Sequence, residues 1–145
     1  MNFLKDKKIA EAFELMVSSH YGQKYGNRPY FTHPLEIVSN INKPSRVEVI
    51  VAFLHDVIED SPVTMKDIEK QFGVYIAETI DLMTRKKDQT YSEYIKEIIG
   101  SGNVIAINIK YLDNLVNYSN LKDNKSLKQR YMRSMLMLSP YTSLI

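Results

Sequence analysis

Apolar side chains recur along this chain at the three- and four-residue intervals of helices rather than at alternate positions. Residues 3–19 place Phe3, Ile9, Ala12, Phe13, Met16 and Val17 on one stripe, which predicts an amphipathic first helix. Residues 20–32, HYGQKYGNRPYFT, interrupt the pattern with two glycines and a proline and predict an irregular loop. A connection of that length is long for a compact domain, and such loops often carry function. A helix then opens at His33-Pro34 and runs to about Ile41, with the proline in the first position, where its missing N–H costs nothing. His33 is then the N-cap, beside the positive end of the helix dipole, which favours the neutral imidazole that binds metals. Pro44-Ser45 restarts the chain into a helix over 46–60, ended by Ser61-Pro62 because the residue before proline avoids helical backbone.

Thr64 and Asp67 cap a short helix ending near Phe72-Gly73, and 74–84 is a further amphipathic helix. Residues 85–89 are a basic, polar loop, 91–99 a helix with Tyr91, Tyr94, Ile95 and Ile98 on its apolar side, and Ser101-Gly102 a break. The apolar stretch 103–119 is rich in β-branched residues and would also suit a strand. Its length and the lack of any other strand candidate decide for a helix. Residues 121–125 are a polar turn and 126–138 the last helix, with Leu127, Tyr131, Met135 and Leu138 inward. The expected fold is all-α, a compact bundle of about seven to eight helices in one domain over 1–145.

The formal charge of +2 on 145 residues, with basic residues scattered, gives no case for nucleic acid. No cysteine is present, so disulfides and thiolate metal sites are excluded. No stretch approaches the roughly 18 apolar residues of a membrane span, and the N-terminus has no apolar signal core. These features predict a soluble, cytoplasmic protein that does not engage membranes.

Polar chemistry concentrates where the pattern is most apolar. The run Val47–Leu54 ends in His55-Asp56-Val57-Ile58-Glu59-Asp60. On a continuous helix, Glu59, Asp56 and Asp60 lie at about 40°, 100° and 140° from His55, so all four project from one face. Three acids and an imidazole at the end of a buried helix are costly to desolvate unless a cation or water meets them. In 103–119, Lys110, Asp113, Asn114 and Asn117 form a polar stripe on another apolar helix, with a Lys110–Asp113 ion pair as the structural alternative. Two imidazoles and two carboxylates, His33, His55, Asp56 and Asp113, suit Mn²⁺, Fe²⁺ or Zn²⁺ better than Mg²⁺. Such a set leaves open positions for water and a phosphate oxygen, and Glu59 and Asp60 are placed for proton transfer. Lys86, Lys87, Arg130 and Arg133 are available near a pocket but read as solvated surface residues.

These stretches resemble the motifs of the HD phosphohydrolase superfamily, and most closely the alarmone hydrolase domain of RelA/SpoT proteins and its small stand-alone relatives. The resemblance rests on His20-Tyr21-Gly22-Gln23, Pro29-Tyr30-Phe31-Thr32-His33-Pro34, Phe53-Leu54-His55-Asp56 with Glu59-Asp60, Phe72-Gly73, Met83-Thr84-Arg85 and Lys110 to Asn117. It runs from about Ala12 to Asn117. It implies one Mn²⁺ on His33, His55, Asp56 and Asp113, with Fe²⁺ or Zn²⁺ as lesser alternatives. Glu59 and Asp60 are then the catalytic acids, and Lys110 and Asn117 lie on the substrate side. The implied reaction removes the 3′-pyrophosphate of guanosine tetra- or pentaphosphate, giving GDP or GTP and pyrophosphate. His20 matches the pattern but is not a ligand in the family, and reads as structural.

The chain departs from that pattern at two places. Where the family carries an arginine packed against the base, this chain has Tyr25, with Lys24 as the candidate substitute, Arg28 as its rival, and Tyr25 itself able to stack on a purine. The family's arginine after the last aspartate is here Asn114. Base identity is the point these changes touch. An HD phosphohydrolase acting on another nucleotide, in the manner of a 5′-nucleotidase or deoxynucleotide hydrolase, and a non-catalytic nucleotide-binding module are the competing readings. A homo-oligomer is left open, with 135–141 either on the core or at a contact.

Overall fold

The computed structural model describes residues 5–144. Among them are nine α-helical segments, one a single turn, and a two-stranded hairpin, in agreement with an all-α bundle. Phe3, assigned above to the first helix, lies outside the described residues. Helix α1 (Lys7–Ser19) is capped by Asp6, whose carboxylate accepts from the backbone N–H of Lys8 and Ile9 and also from Arg46 Nε at 2.6 Å. One aspartate therefore starts α1 and ties it to the start of α3 (Arg46–Leu54), against which α1 packs.

The segment expected to be an irregular loop contains the hairpin, β1 (Lys24–Tyr25) antiparallel to β2 (Arg28–Pro29). Gly26 has φ +62° at the first of the two turn positions, where a tight hairpin calls for glycine. The Gly26-Asn27 pair between Tyr25 and Arg28 was the available signal. Helix α2 (Thr32–Ser39) begins two residues earlier than expected, so His33 is not the N-cap but lies inside the first turn. The hydroxyl of Thr32 donates to Pro29 O at 2.8 Å and the His33 N–H to Tyr30 O at 2.9 Å, which starts the helix from the hairpin. Pro34 still falls among the first N–H positions that have no helical partner.

The helix expected over 46–60 is broken. Helix α3 stops at Leu54, Asp56 has φ −107° and ψ 2°, and the single turn α4 (Val57–Asp60) follows. Adjacent residues of an unbroken helix point about 100° apart and do not meet. With the break, His55 Nε2 and Asp56 Oδ2 come within 3.2 Å. Ser61, before Pro62, is extended as expected.

Helices α3, α5 (Met65–Phe72) and α7 (Tyr91–Ser101) each open with a reciprocal capping box, Ser45/Glu48, Thr64/Asp67 and Thr90/Glu93. Helix α6 (Val74–Leu82) follows Gly73, and Gly102 ends α7 in the left-handed conformation. The β-branched stretch is helical, as α8 (Val104–Asn120), and packs against α2, α3, α6 and α9 (Lys125–Leu138). Residues 49–54 of α3 are all buried, so α3 and α8 form the centre of the core. Met135 and Leu138 of α9 are buried, while Leu136 and Tyr141 face solvent. No helix among the described residues is long and apolar enough to cross a membrane.

Candidate metal and catalytic site

Three elements bring the two histidines and two aspartates together. Helix α2 supplies His33, the break between α3 and α4 supplies His55 and Asp56, and α8 supplies Asp113. One ligand atom each from His33, His55 and Asp56 lies within 4.8 Å of the others. Asp113 Oδ1 is 2.8 Å from His33 Nε2 and 3.4 Å from His55 Nε2. His33, His55 and Asp113 are buried, and Asp56 is partly open.

The orientation of His55 tests whether a cation fits. Its Nδ1 lies 2.7 Å from Ala52 O, a carbonyl that only accepts, so Nδ1 carries the proton. Its Nε2 is the atom left to meet a cation: it is buried, without a hydrogen-bond partner among the described residues, and faces the carboxylates of Asp56 and Asp113. Acceptors turned toward acceptors are unfavourable unless a cation lies between them. An imidazole whose other nitrogen donates to a carbonyl is the arrangement of metal-ligating histidines. The residues therefore fit a divalent metal.

A further set of contacts holds these four. Tyr30 OH donates to Asp56 Oδ2 at 2.9 Å. Lys110 Nζ donates to Asp113 Oδ2 at 2.9 Å, and its ammonium lies over the rings of Tyr91 and Tyr94. Tyr25 stacks on His33 with ring centres 4.5 Å apart and donates its hydroxyl to Asn117 Oδ1 at 2.9 Å. Burial works against charge on Asp113, but the Lys110 ammonium and the two imidazoles outweigh it and hold the carboxyl well below the usual range. At Asp56 burial is likewise overcome, by His55, and the carboxyl sits at about 2. On His55, burial opposes the charge and the Asp56 and Asp113 carboxylates raise it well above the ordinary imidazole value.

Glu59 and Asp60 stand at the rim of the cluster rather than in it, since the helix they were assigned to is broken. Glu59 Oε1 accepts from the Arg85 N–H at 3.0 Å, and partial burial and the Asp56 carboxylate raise its pKa above the ordinary glutamate value. Asp60 Oδ2 accepts from Gln23 Nε2 at 3.3 Å. Lys110 is buried against Asp113, so the ion pair weighed above is what the fold makes of it. Asn117 borders a cavity of about 610 Å³ whose lining includes Tyr25, Arg28, Asn120, Lys122 and Tyr131. Of the two hairpin cations, Arg28 borders this cavity and pairs with Glu36 at 2.8 Å. Lys24 borders a separate cavity of about 270 Å³ with His20, Gln23 and Tyr30. Arg130 lies 3.8 Å from the Tyr91 ring centre, Lys86 pairs with Asp81, and Arg133 is exposed. Sequence reasoning did not single out Tyr30 or Gln23. Both lie in the segment that carries the H-x-G-Q and P-Y-x-x-H-P likeness, and that was their only signal.

No family model matches the chain. It is 31% identical over 103 residues to the bifunctional (p)ppGpp synthase/hydrolase SpoT of Escherichia coli, covering 64% of this chain and 15% of that protein. A guanosine-3′,5′-bis(diphosphate) 3′-pyrophosphohydrolase of Spiroplasma citri is 26% identical over 144 residues, 88% of this chain and 19% of that protein. The chain thus spans less than a fifth of the length of these relatives. A solved structure described as a metazoan ortholog of SpoT that hydrolyses ppGpp superposes with a TM-score of 0.76, covering 96% of this chain and 89% of that one at 19% identity. That likeness gives the fold, and the sequence relatives agree with it. In sequence and in fold, this chain is similar to the RelA/SpoT-type HD hydrolase domains.

Proposed function

We propose that the chain is a metal-dependent hydrolase that removes the 3′-pyrophosphate of guanosine tetra- or pentaphosphate in the cytoplasm, with residues 5–144 acting as one catalytic unit. The observation that carries this reading is the convergence of His33, His55, Asp56 and Asp113 around the buried, unpartnered Nε2 of His55. The names of the relatives supply the substrate class.

His33, His55, Asp56 and Asp113 would hold the metal, for which Mn²⁺ is the proposed ion from the mixed nitrogen and oxygen donors. When bound, a divalent ion polarises a phosphoryl oxygen and makes a water more acidic. The overall change is water plus guanosine tetraphosphate to GDP and pyrophosphate. The water oxygen bonds to the phosphorus attached to O3′, the P–O3′ bond breaks, and O3′ takes up a proton. Asp60, with one oxygen held by Gln23 and the other free, accepts a proton from the water. Glu59, whose pKa burial and the Asp56 carboxylate raise, is the group to deliver a proton to O3′. Asn117 and Arg28, on the adjoining cavity, receive the nucleoside, and Lys110 acts through Asp113 by holding its second oxygen.

The test is release of pyrophosphate from guanosine tetraphosphate with Mn²⁺ added, comparing the native chain with Asp113→Ala and Glu59→Gln. Turnover that both substitutions abolish is the expected result. A folded, metal-loaded protein without turnover would overturn the substrate, and a panel of other nucleotides would then identify the one it cleaves or binds.

A further inference from the structure

His20 has no place in the metal cluster, yet it is buried at the C-terminus of α1 and meets the site by two routes. Its Nδ1 is 2.8 Å from Gln23 Oε1, and Gln23 Nε2 donates in turn to Asp60 Oδ2 at 3.3 Å. Its ring stacks on Tyr30 with centres 3.8 Å apart and planes inclined by 28°, and Tyr30 OH donates to Asp56 Oδ2. Gly22, at φ +79°, turns the chain so that Gln23 folds back over the histidine, and the Gln23 N–H donates to His20 O.

The direction of these bonds is set by chemistry. The ionised carboxylate of Asp60 only accepts, so the amide nitrogen of Gln23 must face it. The amide oxygen then faces His20, which assigns the imidazole proton to Nδ1. His20 Nε2 is left bare, and that atom is buried without a hydrogen-bond partner among the described residues, a smaller cost for a bare nitrogen than for an N–H.

We propose that His20 and Gln23 are positioning residues for the hydrolysis, a one-amide brace that orients Asp60 while the His20–Tyr30 stack steadies Asp56. Asp60 is more than a third exposed on its side chain and sits on a helix of one turn, and the shortest side-chain contact it makes among the described residues is the one from Gln23, with His20 Nδ1 at 3.8 Å behind it. Holding one carboxylate oxygen through Gln23 leaves the other free for proton transfer. The inference rests on the reading of Asp60 given under Proposed function, so its test has one readout that needs no turnover.

The first readout is the ¹⁵N spectrum of the histidines in protein loaded with diamagnetic Zn²⁺. His20 is expected as the neutral Nδ1–H tautomer, and Asp60→Ala, which frees the amide to turn, is expected to give a mixture of tautomers. A native Nε2–H tautomer, or a spectrum unmoved by Asp60→Ala, would overturn the brace whatever the activity. The second readout is turnover with Mn²⁺. Gln23→Leu is expected to lower kcat by about 10- to 100-fold, the usual cost of removing a supporting residue, with KM and melting temperature little changed. His20→Asn, which keeps a donor at the Nδ1 position, should retain more activity than His20→Ala. Native kcat in Gln23→Leu would overturn the positioning role. A native protein with the expected tautomer but no turnover would instead overturn the proposed reaction and leave the brace standing.

Discussion

Lys110 and Asp113 stand one turn apart on α8 with their charges 2.9 Å from each other, and both side chains are buried. The ammonium is raised well above its ordinary range: burial opposes its charge, and Asp113 outweighs that. A lysine so placed serves the carboxylate rather than solvent. Its ring neighbours Tyr91 and Tyr94 complete a cage that tolerates the charge.

Replacing Lys110 by Met leaves a buried carboxylate with one partner fewer. Breaking a buried pair from one side costs about 3–5 kcal/mol, and urea unfolding of the metal-free protein should register a loss of that size. The double variant Lys110→Met/Asp113→Asn should recover part of it, because the contacting residues couple. A loss below about 1 kcal/mol would place the pair with exposed ion pairs instead.

Tyr25 joins the cavity beside Asn117 to the histidine–aspartate cluster, stacking on His33 and donating to Asn117. Burial pushes its phenol up to about 12, so it remains a donor at every ordinary pH. Tyr25→Phe keeps the stack and loses one hydrogen bond, an expected cost of about 1 kcal/mol in stability with metal affinity unchanged. Tyr25→Ala removes the stack and should weaken metal binding by about 10- to 100-fold in a calorimetric titration. Equal metal affinity in the two variants would exclude a role for the ring in holding His33.

Glu59 carries a stability signature opposite to that of most carboxylates. Its pKa is raised in the folded chain, by burial and then by Asp56, above the ordinary glutamate value of 4.5. The stability that Glu59 contributes is therefore fully present below about 4.5 and is lost as pH rises through the raised value. Glu59→Gln keeps an acceptor for the Arg85 N–H and should melt higher than the native protein at pH 7–8, with the gain vanishing near pH 4. For a side chain this open to water the gain should stay below about 1 kcal/mol. A variant less stable than native at pH 8 would show that the ionised carboxylate is favourably held.

The helices were legible because each buries a stripe at helical spacing and several begin with a local cap. Ser45/Glu48, Thr64/Asp67 and Thr90/Glu93 are four-residue devices readable from neighbours alone. The hairpin at 24–29 was read as loop because two-residue strands have too little alternation to be seen, although its Gly-Asn turn was in view. The break at His55-Asp56 was not readable at all. Asp56 is held by Tyr30, 26 residues away, and His33 meets Asp113 across 80 residues.

The sequence by itself therefore determined the helical class, most element boundaries, and the identity of the residues that form the cluster, since residue type and short-range period are local properties of the chain. Tertiary structure decided that α3 stops at Leu54, that Lys110 is spent on Asp113, that Arg28 rather than Lys24 borders the cavity beside Asn117, and that Gln23 lies between His20 and Asp60. Each of those outcomes depends on which atoms meet once α2, α3 and α8 have packed together, and spacing along one element carries no record of the others.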